Sequence, residues 1–178
     1  AVIKPNMYPY NYVTRDEAQK LAEQMNYNEV TSSLIYGVQW NLVLKYIESK
    51  NAMKKAELTS DSTTIGNYNN NLWNITNKNA KYSTDDGKEF TACPYQKTEN
   101  ANVLLTTGAD KSFSLMNIYD IAGNVYEWTK EFCDVDNPCV IRGGGYNSNG
   151  HNSPGKICGR NIISNSSSYI GFRVGLWK

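Results

Sequence analysis

The sequence predicts an α+β domain. Two stretches in the N-terminal half carry helical apolar periodicity, a long middle stretch punctuated by Asn and Gly carries none, and short β-type runs appear toward the C-terminus. With 178 residues the chain is long enough for a real core, and one domain is expected over 1–178, because neither an internal repeat nor a linker interrupts it.

The first helix begins at Thr14-Arg15-Asp16-Glu17, a capping box with Thr14 as N-cap and Glu17 three residues on. Ala18, Leu21, Ala22 and Met25 follow at helical spacing, so this helix is expected to run to about Asn26. The second is expected from Gly37 to Ser49, where Trp40, Val43, Leu44 and Ile47 fall at i, i+3, i+4 and i+7 and read as a core stripe. From Lys50 to about Asn102, runs such as Asn67 to Asn71 and Asp85-Asp86-Gly87 predict irregular structure with short strands. Strands are then expected at Val103–Leu105, at Val140–Arg142 and at Ile170–Leu176, the last with Phe172 and Val174 on one side and Arg173 on the other.

Charge and composition narrow the function. Lys, Arg, Asp and Glu are scattered along the chain and sum to +1, without the basic stripe that nucleic-acid binding needs. No apolar run is long enough to span a bilayer, and the opening Ala1-Val2-Ile3-Lys4-Pro5 lacks the apolar stretch of a signal peptide. Neither nucleic acid nor a membrane interior is therefore an expected partner. The chain has 13 Tyr and 4 Trp among many Asn and Ser, which suits a recognition surface and equally suits a chain with many turns. Four cysteines, Cys93, Cys133, Cys139 and Cys158, together with the single His151, fit no zinc spacing. Cys133 and Cys139 flank a turn-like segment, which leaves two readings: a disulfide between them, or reduced thiols.

Three motifs carry more than the rest of the chain. They are Asn117 to Trp128 (N-I-Y-D-I-A-G-N-V-Y-E-W), Arg142-Gly143-Gly144, and Ile170-Gly171-Phe172-Arg173. In that order they resemble the signature of the formylglycine-generating enzyme (sulfatase-modifying factor) family, whose fold is a variant of the C-type lectin fold. Tyr10 to Thr14 and Tyr36 to Trp40 extend the resemblance to most of the chain, most weakly from Lys50 to Asn100. Gly123 suits a left-handed or closely approached backbone, Asn124 suits holding the turn, and Trp128 suits a buried anchor. The resemblance implies structural calcium held by side-chain oxygens of Asp120 and Glu127 and by carbonyls of Gly123 and Val125, a donor set calcium prefers. The other reading is that Asp120 and Glu127 accept backbone hydrogen bonds or pair with Arg142 or Arg173.

The chemistry of that family is a different matter. Its oxidases bind copper through two cysteines downstream of the RGG element. Those positions fall at about Ser148 and Ser153 here, and a hydroxyl is a poor ligand for soft Cu(I). A branch resembling ergothioneine-type sulfoxide synthases needs a histidine cluster for iron, which the lone His151 cannot build. Neither copper nor iron is therefore expected. A triad of Ser148 or Ser153 with His151 and Asp134 is the remaining catalytic arrangement the sequence allows, against a plain exposed histidine.

Between the second and third motifs lie two stretches rich in Asn, Ser and Tyr, and loops on a rigid scaffold are where binding residues collect. The arrangement is similar to the variable proteins of diversity-generating retroelements, which share the C-type lectin fold. In those proteins adenine-rich Asn codons mutate while the backbone is kept. The resemblance implies a ligand-binding segment over about 142–176. Its contact set is Tyr146, Asn147, Asn149, His151, Asn152, Asn161, Ile162, Asn165, Ser166, Ser168 and Tyr169. It also implies a hypervariable, non-catalytic binder of a protein or glycan ligand, displayed on a phage tail (virion) or cell surface. The alternative is a copper-dependent oxidase of the formylglycine-generating type, or another enzyme of that family using Cys158.

Overall fold

The computed structural model describes residues 4–26 and 28–178, so the opening Ala1 to Ile3 lies outside the described residues, as does Tyr27. The N-terminal half holds α1 (Arg15–Glu23), β1 (Thr31–Leu34), α2 (Gly37–Ser49) and α3 (Lys55–Thr59). Short strands follow: β2 (Trp73–Ile75), β3 (Lys81–Ser83), β4 (Thr91–Ala92), β5 (Tyr95–Lys97), β6 (Leu104–Leu105), β7 (Ser114–Leu115) and β8 (Ile118–Tyr119). The C-terminal part holds β9 (Tyr126–Trp128), β10 (Cys139–Arg142), β11 (Cys158–Asn161), β12 (Ile170–Phe172) and β13 (Val174–Trp177). The α+β class and the short, mostly antiparallel strands are as the sequence predicts.

Local chemistry sets the helix ends. Thr14 Oγ1 accepts from the Glu17 N–H, and the Glu17 carboxylate accepts from the Thr14 N–H, so the capping box forms. α1 stops at Glu23, short of the expected Asn26, because the Asn26 side chain instead accepts from the Ser32 N–H and hydroxyl at the start of β1. α2 has the expected bounds, with Trp40, Leu44 and Ile47 buried. Among the described residues α3 makes the α-helices three rather than two. At five residues it is too short to show a period, yet it buries Leu58.

The four-stranded sheet has the order β11-β10-β9-β12, with β12 parallel to β9 and the other pairs antiparallel. The expected single strand over Ile170–Leu176 is two. β12 joins β9, β13 joins β1 in a separate ladder (Leu34 opposite Val174), and the break falls at Arg173. One core packs α2 and α3 through Trp40, Leu44, Ile47 and Leu58 onto Ile65, Tyr68 and Ile121. A second packs α1 through Ala18 and Ala22 onto Trp128, Ile141 and Ile170. A third holds the middle strands around Ile75, Leu105 and Phe113. Two indole N–H groups tie distant segments together: Trp128 Nε1 of β9 donates to Val13 O at 2.8 Å, and Trp40 Nε1 of α2 donates to Gly155 O at 3.0 Å.

Candidate functional site

The Asp120–Glu127 turn is the structural centre of the C-terminal half. Gly123 has φ +70°, and a Cβ there would lie 2.5 Å from Asn67 O, so both backbone conformation and close approach require glycine. Asn124 holds more than its own turn. Its Oδ1 accepts from the Leu105 N–H at 3.0 Å and from Asn67 Nδ2 at 3.1 Å, and its Nδ2 donates to Leu105 O at 3.0 Å. This buried amide joins three chain segments, where the sequence suggested only a local turn. Val125 packs with Leu104 and Tyr146.

The two carboxylates of the turn are buried and already engaged. Glu127 takes Arg173 as a fork, with Nε to Oε2 and Nη2 to Oε1 both at 2.7 Å. Arg173 Nη2 also donates to Tyr119 O at 2.8 Å. Asp120 Oδ2 accepts from the Gly108 N–H at 2.9 Å. Burial pushes the Asp120 carboxyl up to about 7, with Gly108 and Arg173 pulling the other way, and burial also raises Glu127 against the opposing pull of Arg173. Calcium requires six to eight oxygen ligands, roughly. With both Glu127 oxygens held by a guanidinium, the donor set at Asp120, Gly123, Val125 and Glu127 does not fit that ion. The alternative raised by the sequence, pairing with Arg173, is the arrangement present. Arg142 pairs elsewhere, with Glu131, through its Nε at 2.8 Å.

The two polar stretches of the C-terminal segment meet above this turn. Tyr126 stands between them: its hydroxyl donates to Ser153 Oγ at 2.8 Å, and its ring meets that of Tyr169 edge-on at 6.4 Å. Tyr146 joins them from below, donating to Asp86 Oδ1 at 2.7 Å and approaching Ser168 Oγ at 2.9 Å. His151, Asn152, Ile162 and Ser166 are exposed, while Asn147, Asn149, Asn161, Asn165, Ser168 and Tyr169 are half-buried. Tyr146 is a correction. It is 1% exposed, and burial pushes its phenol well above the usual range, so it anchors the face rather than being displayed on it. The ring of Tyr169 is likewise packed, against Tyr126 and two core clusters.

Family comparison matches the chain to the Sulfatase-modifying factor enzyme 1-like domain over residues 5–176. The chain belongs to this family. Two solved structures are similar in shape: Treponema denticola variable protein 1, at TM-score 0.43 and 18% identity, and a protein titled CarF, at TM-score 0.47 and 17% identity. The likeness covers 84% of this chain and 49% of the first, and 96% of this chain and 59% of the second, so this chain spans only part of either. No curated protein matches it.

The sulfatase-modifying-factor scaffold therefore stands, and Ser148 and Ser153, where the resemblance puts the copper ligands, hold hydroxyls in structural use. Ser148 Oγ accepts from the Gly145 N–H at 2.9 Å and donates to Gly145 O at 2.7 Å, closing a tight turn. Ser153 Oγ is taken by Tyr126. His151 is exposed near Asp61, whereas Asp134 pairs with Arg160 at 3.3 Å, so the expected grouping of Ser148 or Ser153 with His151 and Asp134 does not assemble. Of the two readings of Cys133 and Cys139, the structure has the reduced one: all four cysteines are unpaired. Strand alternation is the reason. Cys139 points with Ile141 into the α1 core, while Cys133 lies beside Asp134 and Arg160, on the opposite face of the sheet. Cys158 is exposed on the edge strand β11.

Several residues of the face carried no obvious sequence signal. Asn69 and Asn70 support the first stretch: the Asn69 N–H donates to Ser148 O at 3.0 Å and Asn70 Oδ1 accepts from the Gly150 N–H at 3.0 Å. Asn11 and Tyr12 support the second, donating to Ser168 O at 2.7 Å and Ser167 O at 3.1 Å. Asn69 and Asn70 read only as turn punctuation in the sequence, and Asn11 and Tyr12 only as part of the family's opening before the first helix.

Proposed function

We propose that this chain is a non-catalytic ligand-binding protein of the sulfatase-modifying-factor family, whose C-terminal segment is the surface that varies and binds. The observation that carries the reading is the division of labour between side chains. Tyr146, Tyr126, Ser148, Ser153 and the Asn124 amide are committed to holding the loops, while His151, Asn152, Ile162 and Ser166 project from them with few ties. A framework that fixes backbone through a separate set of residues tolerates change in the projecting set. The ligand such a face fits is a protein or a glycan met outside any membrane interior. Among the described residues no helix is long and apolar enough to cross a bilayer. Display on a virion or a cell surface is part of the proposal.

The donor chemistry supports the absence of oxidase activity, since serine hydroxyls engaged in turns offer Cu(I) no thiolate pair. Oxygen uptake with copper and a cysteine-containing peptide is the test. No turnover is expected, and turnover abolished by Cys158→Ser would establish an enzyme instead. Diversification has its own test in the gene's surroundings: a reverse transcriptase gene and a near-copy of the 3′ coding repeat differing at adenines are expected there.

A further inference from the structure

Arg173 gathers oxygen atoms as a bound cation does. It holds both carboxylate oxygens of Glu127 at 2.7 Å, and its Nη2 reaches the carbonyls of Tyr119 at 2.8 Å and Asp120 at 3.4 Å. The Trp40 ring lies under the guanidinium, 5.8 Å from centroid to Cζ. The position is built by the fold. Arg173 sits at the break between β12 and β13, and Glu127 lies opposite Gly171 in the parallel pairing of β9 with β12. A guanidinium suits this task, because its planar fork matches a carboxylate bidentately and remains charged at any working pH.

We propose that the Arg173 guanidinium takes the place of a calcium ion in the Asp120–Glu127 turn, so that this turn is closed by an internal cation and needs no metal. The C-terminal strand thus carries its own cation into the site, coupling the docking of β12 to the closure of the turn. This inference is independent of what the exposed face binds. It also makes a directional statement about substitution: removing the guanidinium leaves Glu127, one Asp120 oxygen and nearby carbonyls without a cation, which is the donor chemistry calcium takes.

The experiment melts the wild-type chain and Arg173→Ala in millimolar CaCl2 and in EDTA. Terbium luminescence, sensitised by Trp40, serves as a direct occupancy readout. The wild type is expected to melt at the same temperature in both buffers and to show no terbium signal. Arg173→Ala is expected to melt lower in EDTA, to recover several degrees in calcium, and to gain a terbium signal that calcium displaces. If the alanine variant does not fold in EDTA, Arg173→Gln, which keeps an amide donor, takes its place with the same expectation. A calcium-dependent wild-type melt, or a wild-type terbium signal lost in Glu127→Gln, overturns the proposal. So does a folded Arg173 variant that calcium neither stabilises nor occupies.

Discussion

Trp128 shows how a single side chain is fixed from two directions. It is fully buried between α1 and the sheet, and its indole N–H donates to Val13 O, so truncation removes both the packing and the tie to the N-terminal segment. Trp128→Ala is expected to destabilise the chain by roughly 3–5 kcal/mol in urea unfolding. Lys97 is a residue the sequence did not single out. It is 1% exposed, with its ammonium donating to Asn69 O at 3.0 Å and Asn71 O at 2.5 Å. Burial lowers its pKa from 10.5 to about 8, against a small opposing pull from Glu99. The folded state therefore binds fewer protons than the unfolded chain between those values. The cost of burying the charge is complete below about pH 8 and is relieved as pH rises toward 10. The stability difference between Lys97→Met and wild type, measured by urea unfolding at steps across that window, is expected to shift in favour of the wild type by up to about 3 kcal/mol. A difference that stays flat with pH would place the ammonium in water. Neither role is visible in a residue's type alone: Trp128 was legible because it closes a motif, whereas Lys97 was not, because its partners are backbone carbonyls of a loop.

Elements were legible where a period or a cap specified them. The bounds of α2 follow from its apolar stripe and those of α1 from its capping box, except at the end where Asn26 finds a better partner in Ser32. The strand pairs were not legible, because two- and three-residue strands have no measurable period and their partners lie far away, as with β1 and β13. The same distance hid the true role of Tyr146. Its composition and neighbours suggested display, and only its contact with Asp86, sixty residues earlier, shows that it ties both polar stretches to the 85–87 turn. Tyr146→Phe keeps the ring and loses the hydroxyl. It is expected to cost on the order of 1 kcal/mol and to speed amide hydrogen exchange over 165–169 before it changes the rest of the sheet. Exchange unchanged in that segment would remove Tyr146 from its anchoring role.

Across the molecule, the chain keeps the family's frame, and the Ser148 and Ser153 hydroxyls are engaged within it by Gly145 and Tyr126. The three sequence motifs meet in one place: the Asp120–Glu127 turn, the Arg142–Glu131 pair beside it, and Arg173 arriving on the last strands. Part of that meeting was legible in the sequence, where pairing of Asp120 and Glu127 with Arg142 or Arg173 stood as one of two readings. The exposure of each residue in the polar stretches was not, because Asn, Ser and Tyr serve both buried networks and open faces. The most direct measurement is therefore the melting of a chain carrying His151→Ala, Asn152→Ala, Ile162→Ala and Ser166→Ala together. These sites are exposed, so the combined change is expected to keep stability within about 2 kcal/mol of the wild type, since surface substitutions usually stay within roughly 0.5 kcal/mol each. A loss as large as that of Trp128→Ala would show that these side chains hold the fold together and are not free to vary.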